Sequence, residues 1–328
     1  MMGVVESDIN TLFSDLYGEL DKTPWNTLTA MSEVYFEGSY TTEEAWNFKS
    51  DVCHKMNVEN GYYLIENAED LAWFGRLVAA DSAYINGKLV NDIDMNGAVW
   101  KCPISYASEF YGLKYFHGTF DGQGHTISNL TIEGKDNVSC GGLFGLGSAN
   151  AALKNLIVKD CKFTAPYSIG CIAGEWYGIV ENCASINVTI EGGNPHGLIG
   201  FGGTVTNSFT TYEDVCTAGG TVVINSYGSN DLEEADYASG KLCYQLNGDQ
   251  SKLVWYQNIG IDAYPVLDSS HGVVVKNEDG TYGTTTGIET VRDNLPQNNV
   301  TIYNMNGQRV KKPLKGLYII DGRKVLIK

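Results

Sequence analysis

The sequence predicts an all-β protein built as a parallel β-helix, a solenoid of short stacked strands. Three observations carry that prediction. Asn-centred phrases return at a nearly fixed interval, with Asn129, Asn155, Asn182, Asn207 and Asn225 lying 26, 27, 25 and 18 residues apart; a period of about 20 to 50 residues marks stacked repeats. Between them lie short runs that alternate apolar and polar residues and break at Gly, Asn or Asp, the two-residue period of a strand. No amphipathic helical stretch fits between the Asn phrases, which excludes a repeat of strand and helix. Three short strands and three turns then make one coil, each coil bonded to the next about 4.8 Å along the axis.

The elements follow in chain order. Residues 1–60 form a helical N-terminal segment. There, Ile9, Leu12, Phe13, Leu16 and Leu20 share one helical face, and Thr41-Thr42-Glu43-Glu44 opens a second helix. Residues 61–275 form the solenoid with short helical caps. Asn67 caps a helix over 68–80 with Leu71, Phe74, Leu77 and Val78 inward, and this helix covers the first coil, whose open sheet edge would otherwise recruit other strands. Strands at 87–95 and 100–104 begin the coils. Glycine supplies the sharp turns, and the five Asn residues stack as one amide ladder, with Leu130, Leu156 and Cys183 on one inward column. A helix over 232–246 and the segments 255–260 and 264–267 close the distal end. Residues 276–287 read as a linker. Residues 288–328 form a small β module: 299–310 is strand, Asn-Gly turn, strand, and 317–328 repeats that design.

At Gly141-Gly142-Leu143-Phe144-Gly145, followed by an apolar-x-Asn phrase, the chain resembles the GLUG repeat of large bacterial surface proteins. The run from Tyr63-Leu64-Ile65-Glu66-Asn67-Ala68 through Asn91-Asp92-Ile93-Asp94-Met95 to Asp121-Gly122-Gln123-Gly124-His125 resembles the segment that introduces those repeats. The likeness spans roughly residues 60 to 270 and implies a secreted, right-handed parallel β-helix of adhesin-like type. Gly316-Leu317-Tyr318-Ile319 and Lys324-Val325-Leu326-Ile327-Lys328 resemble the C-terminal sorting domain of type IX secretion in Bacteroidetes, over a tail shorter than the usual module. Both resemblances imply a secreted or cell-surface location. The start Met1-Met2-Gly3 lacks the basic start and apolar run of a signal peptide, so export requires a leader absent from this sequence.

Composition narrows the partners. The 328 residues carry a net charge of −17, with 43% hydrophobic residues, 38 Gly and only 7 Pro, which argues against disorder. The residues from Gly283 onward carry +5 and the remainder −22. An acidic body is a poor partner for nucleic acid or an anionic membrane, so no nucleic acid is expected, and no stretch is long and apolar enough to span a membrane. The eight cysteines include no CxxC pair and no zinc spacing; they read as buried small hydrophobes rather than as bridges.

No catalytic constellation emerges. A hydrolase needs two carboxylates a few ångströms apart across the scissile bond, and no coil shows recurring outward Asp or Glu. Asp121 and His125 read as turn residues. No metal site and no cofactor is expected. The candidates for binding are aromatics beside the repeat phrases: Trp176, Tyr177, Tyr167 and Tyr212, whose rings suit a sugar face or a protein interface. Adjacent aromatics in an extended segment point to opposite faces, so one of Trp176 and Tyr177 is exposed. The expected partner is a glycan or a surface protein. Two alternatives stand beside this adhesin-like reading: a polysaccharide-active lyase or glycoside hydrolase, and a spacer that presents another domain.

Overall fold

The corners shape this chain. Asn155, Asn182, Asn207 and Asn225 have φ of 50°, 52°, 50° and 48°, and Asn129, Asp160 and Asn187 have 58°, 53° and 53°. Asn and Asp enter this left-handed region more readily than other non-glycine residues, so they mark where one strand ends and the next departs in a new direction. The computed structural model describes residues 56–79, 84–100, 103–108, 112–134, 139–216, 220–248, 250–285, 288–291, 302–305, 307–310, 316–320 and 323–327. They belong to two units, the first ending at Glu233 and the second beginning at Glu234. The two helices expected before residue 50 lie outside the described residues, as do Cys53 and Cys102.

The first unit is a parallel β-solenoid of about five turns. Its first sheet stacks Tyr62–Ile65, Asn86–Leu89, Thr119–Asp121, Ala152–Lys154, Ile179–Glu181, Thr204–Thr206 and Val222–Ile224. The second stacks Ile93–Asp94, Thr126–Ser128, Ile157–Lys159, Ala184–Ile186 and Phe209–Thr210, and the third Val99–Trp100, Thr131–Glu133, Lys162–Ala165 and Thr189–Gly192. The fourth is shorter: Phe144–Gly147, Ala173–Trp176 and Ile199–Phe201. Register aligns one buried residue per coil into columns. The first sheet gives Phe120, Leu153, Val180 and Val205, and the third gives Trp100, Ile132, Phe163 and Ile190. In the second sheet the column changes character, running Ile93, Ile127, Val158, Ser185 and Thr210. The Ser185 and Thr210 hydroxyls bond each other at 2.6 Å, and Ser185 donates to the Gly197 carbonyl at 2.8 Å. The corner after the first sheet shows the same drift, from Leu156 through Cys183 to Ser208 and Ser226, all buried.

The Asn register needs a correction. Asp121, Lys154 and Glu181 align in the first sheet, whereas Ser128, Lys159 and Ile186 align in the second. Asn155, Asn182, Asn207 and Asn225 therefore share the corner after the first sheet, but Asn129 shares the next corner with Asp160 and Asn187. Two ladders result. In one, Asn155 donates to Asp121 at 3.0 Å, Asn182 to Asn155 at 3.3 Å and Asn225 to Asn207 at 2.9 Å. In the other, Asn129 donates to Asp94 at 2.8 Å and Asn187 to Asp160 at 3.2 Å. Leu130, Leu156 and Cys183 all face inward, yet Leu130 stacks with Cys161, not with Leu156; its amide reaches the Cys161 sulfur at 3.4 Å. Both corners demand the same backbone conformation, so both select Asn, and the sequence interleaves two periods.

Helix α1 (Ala68–Ala79) covers the start of the rod as its periodicity predicts. Asn67 accepts from the Asp70 amide at 3.0 Å while Asp70 accepts from the Glu66 amide at 2.9 Å, a reciprocal cap. Leu71, Phe74 and Val78 are buried, and the Phe74 ring meets Phe116 and Phe120 at 6.1 and 5.6 Å. Gly87 makes this possible, since a Cβ there would lie 2.8 Å from the Phe74 ring. The six described cysteines are unpaired thiols, and all but Cys216 are buried, so the sequence expectation of buried small hydrophobes holds among them.

The second unit opens with helices α2 (Glu234–Ala238) and α3 (Lys241–Asn247), separated by Gly240 at φ 88°. The buried Asn247 carboxamide accepts from the Val254 and Trp255 amides at 3.0 Å each. The stretch expected as a linker contains the strand Tyr282–Thr285, paired antiparallel with Val273–Lys276. A small mixed sheet follows, ordered Ile288–Val291, Arg323–Ile327, Gly316–Ile320 and Ile302–Asn304. Among the described residues no helix is long and apolar enough to cross a membrane.

Candidate aromatic binding face

The fourth sheet carries the most distinctive surface of the rod. Its register pairs Leu146 with Glu175 and Glu175 with Phe201, while Gly147 pairs with Trp176. Strand alternation then sorts the side chains. Trp176 points inward and is fully buried, its ring 6.2 Å from Phe116 and 5.7 Å from Phe144. The neighbouring coil has Gly147 in that column, and a Cβ at Gly147 would collide with the indole. The outward residues are Glu175 and Tyr177.

Tyr177 is 44% exposed and its hydroxyl donates to Glu175 Oε1. The Cys140 thiol points at Glu175 Oε2 from 3.6 Å. Tyr115 packs beside Cys140 and the buried Leu146. Phe201, 36% exposed, meets the Tyr177 ring edge-on at 6.5 Å. Toward the α1 end, His117 lies 6.3 Å from Tyr115 and stacks on the exposed Tyr84 at 4.5 Å. Four coils thus lay Tyr84, His117, Tyr115, Tyr177 and Phe201 along one strip with Glu175 in its middle.

The charges around Glu175 are one-sided. The Tyr177 phenol is pushed up to about 12 by its hydrogen bond to Glu175 and by burial. Burial, then the charge of Glu175, raises Tyr115 and pushes the Cys140 thiol up to about 12. All three stay protonated at neutral pH, so none of them adds a charge beside the Glu175 carboxylate. Some coil carboxylates pair with lysine, as in Lys154–Glu181 at 3.6 Å, Lys159–Asp160 at 3.8 Å and Lys162–Glu191 at 2.9 Å. Among the described residues, no Lys or Arg forms an ion pair with Glu175.

Of the four aromatics singled out in the sequence, the strip contains Tyr177 alone. Trp176 is core, which removes it as a contact residue in the folded rod. Tyr167 is 67% exposed but sits on the turn between Lys162–Ala165 and Ile169–Gly170, and Tyr212 is half-buried against the core. The phrase at Asp121 and His125 is corner structure: Asp121 Oδ1 accepts from the Gln123 amide at 3.0 Å, and His125 Nδ1 lies 3.2 Å from Asp92 Oδ1. Among the described residues, no group of three or more His, Cys, Asp or Glu could hold a metal ion. Sequence reading missed Tyr84, Tyr115, His117, Glu175 and Phe201. Glu175 and Phe201, each directly after a glycine of a Gly-rich phrase and paired in register, left a partial signal; Tyr84, Tyr115 and His117 lie outside those phrases.

No protein-family model matches the chain. Halomucin of Haloquadratum walsbyi is 33% identical over 210 residues, which cover 60% of this chain and 2% of that protein's length. The crystal structure of a candidate immunoglobulin A1 protease from Bacteroides ovatus overlaps 64% of this chain and 93% of its own, at 13% identity and a TM-score of 0.40. Nothing about this chain's chemistry follows from so loose an overlap. The solenoid itself is established by the strand register, coil by coil.

Proposed function

We propose that this chain is a secreted or cell-surface, adhesin-like binding protein without catalytic activity, presenting its solenoid to an extracellular glycan or surface protein. The aromatic strip centred on Tyr177 carries this reading. Aromatic anchors with a polar rim dominate recognition surfaces, and this strip is carried by the stacked coils, with Glu175 and Phe201 on paired strands of the fourth sheet. The resemblance of the coils to the GLUG repeat, and of the tail to a type IX sorting module, supports export. The polysaccharide-active alternative has no carboxylate pair on this face among the described residues, where Glu175 bonds the Tyr177 hydroxyl and the Cys140 thiol.

The test uses the double variant Tyr177→Ala/Phe201→Ala on a glycan array, on immobilised extracellular proteins and in a cell-adhesion assay. Adhesion should fall at least fivefold while circular dichroism stays unchanged. Undiminished adhesion would remove the strip as the site and favour the spacer reading. New reducing ends or unsaturated products from polygalacturonate, alginate or neutral glycans would favour the enzyme instead.

A further inference from the structure

A carboxylate with no cationic partner among the described residues, flanked by tyrosines in an acidic protein, asks for a particular kind of ligand. Both Glu175 oxygens already face donors, the Tyr177 hydroxyl and the Cys140 thiol. What the carboxylate has left to offer is chiefly its charge. The flanking rings offer their π faces, which attract cations by the ring quadrupole. The remaining charge points the same way, since residues before Gly283 carry −22 and such a field gathers cations toward the surface. A neutral sugar would use the rings but not the charge, and an acidic glycan would be repelled.

We propose that the strip recognises an organic cation: the guanidinium or ammonium group of a basic side chain on a protein partner, held against Tyr177 and Tyr115 with Glu175 as counter-charge. This rests on the reading of the strip as the binding surface. Phe201 and the Tyr84–His117 stack extend the contact along the rod on either side of that anchor, so a basic residue flanked by apolar ones fits best.

Tetramethylammonium chloride and Nα-acetylarginine amide serve as probes, with cellohexaose and Nα-acetylglutamate amide as comparisons. Ring NMR signals of the full-length protein, assigned through Tyr115→Phe and Tyr177→Phe, give the readout. The two cations should shift both tyrosines saturably, and added salt should weaken the binding. Glu175→Gln should weaken it about five- to tenfold or more, while Glu175→Asp, which keeps the charge, should retain most of it. Thermal melting of each variant checks that the fold persists. Equal binding to wild type and Glu175→Gln overturns the inference, and so does a response to cellohexaose alone. If no cation shifts the rings while Tyr177→Ala/Phe201→Ala still loses adhesion, the strip stands as the site and the cation assignment falls. If that double variant adheres normally, the strip itself falls.

Discussion

Trp176 and Tyr177 are neighbours in the chain and opposites in energy, and replacing each by alanine should show it. Trp176 is fully buried against Phe116 and Phe144. Removing an indole that hides roughly 200 Å², at about 25 cal/mol per Å², forfeits up to ~5 kcal/mol. Residual compactness of the unfolded chain lowers that figure, while the cavity left behind raises it; core Trp→Ala changes cost about 3–5 kcal/mol. Gly147 gives no side chain to fill the gap, since its column is the one the indole crosses. Tyr177, 44% exposed, loses an edge contact with Phe201 and one solvent-facing hydrogen bond, about 0.5–1.5 kcal/mol in all. Urea titration followed by circular dichroism near 218 nm reads both, with the slope reported as well, because rods with neighbour-only contacts can unfold in stages. Trp176→Ala should lower stability by at least about 2 kcal/mol more than Tyr177→Ala. Equal losses, or a Trp176→Ala cost under about 1 kcal/mol, would falsify the inward assignment of the indole.

At the ladder corner, Asn182→Gly keeps the left-handed backbone and removes only the amide, whereas Asn182→Ala also forces a Cβ into φ 52°; alanine should be worse by about 1 kcal/mol, and the reverse order in melting experiments counts against the corner argument. Burial pushes the Cys161 thiol to about 11 and Cys183 to about 12, so mass-spectrometric mapping after iodoacetamide at pH 8 should find both unmodified in the native protein and labelled once it is denatured. The Tyr177 phenol is raised from its usual value to about 12, so its stabilising contribution is complete below about pH 10 and lost as pH rises through about 12. Absorbance at 295 nm should show a late-titrating phenol that Tyr177→Phe removes, and an unchanged alkaline limb in the variant speaks against the Glu175 contact.

Helix α1 was legible because a 3.6-residue apolar period and an Asn cap leave little choice, and the solenoid was legible because its repeats cannot be satisfied by helices. The Asn register was misread for a physical reason: two corners of one coil impose the same φ, so Asn129 mimics a position it does not occupy. Alternation required one of Trp176 and Tyr177 to face outward but could not say which. That parity is set by a partner in another coil, Gly147, whose missing side chain opens the slot. The strip was illegible because Tyr84, Tyr115, Glu175 and Phe201 meet only through coil-to-coil register, and coils of unequal length hide that register from any fixed spacing.

The drift of the interior from Ile127 and Val158 to Ser185 and Thr210, and from Leu156 to Ser208 and Ser226, has a mechanical meaning. Hydroxyl pairs bind less tightly than the aromatic layers around Phe74, Phe116 and Phe120, so tension along the rod finds its weakest joints near residue 227. The solenoid should yield there first and progressively, before the coil of Tyr177, whose neighbour Trp176 packs into the aromatic layers. A coil such as that from Lys154 to Glu181 pays out on the order of 90 Å of chain as it opens, against about 4.8 Å of rod. Under the binding reading proposed above, force applied through a partner at Tyr177 would stretch this end of the solenoid first while the Tyr177 coil held.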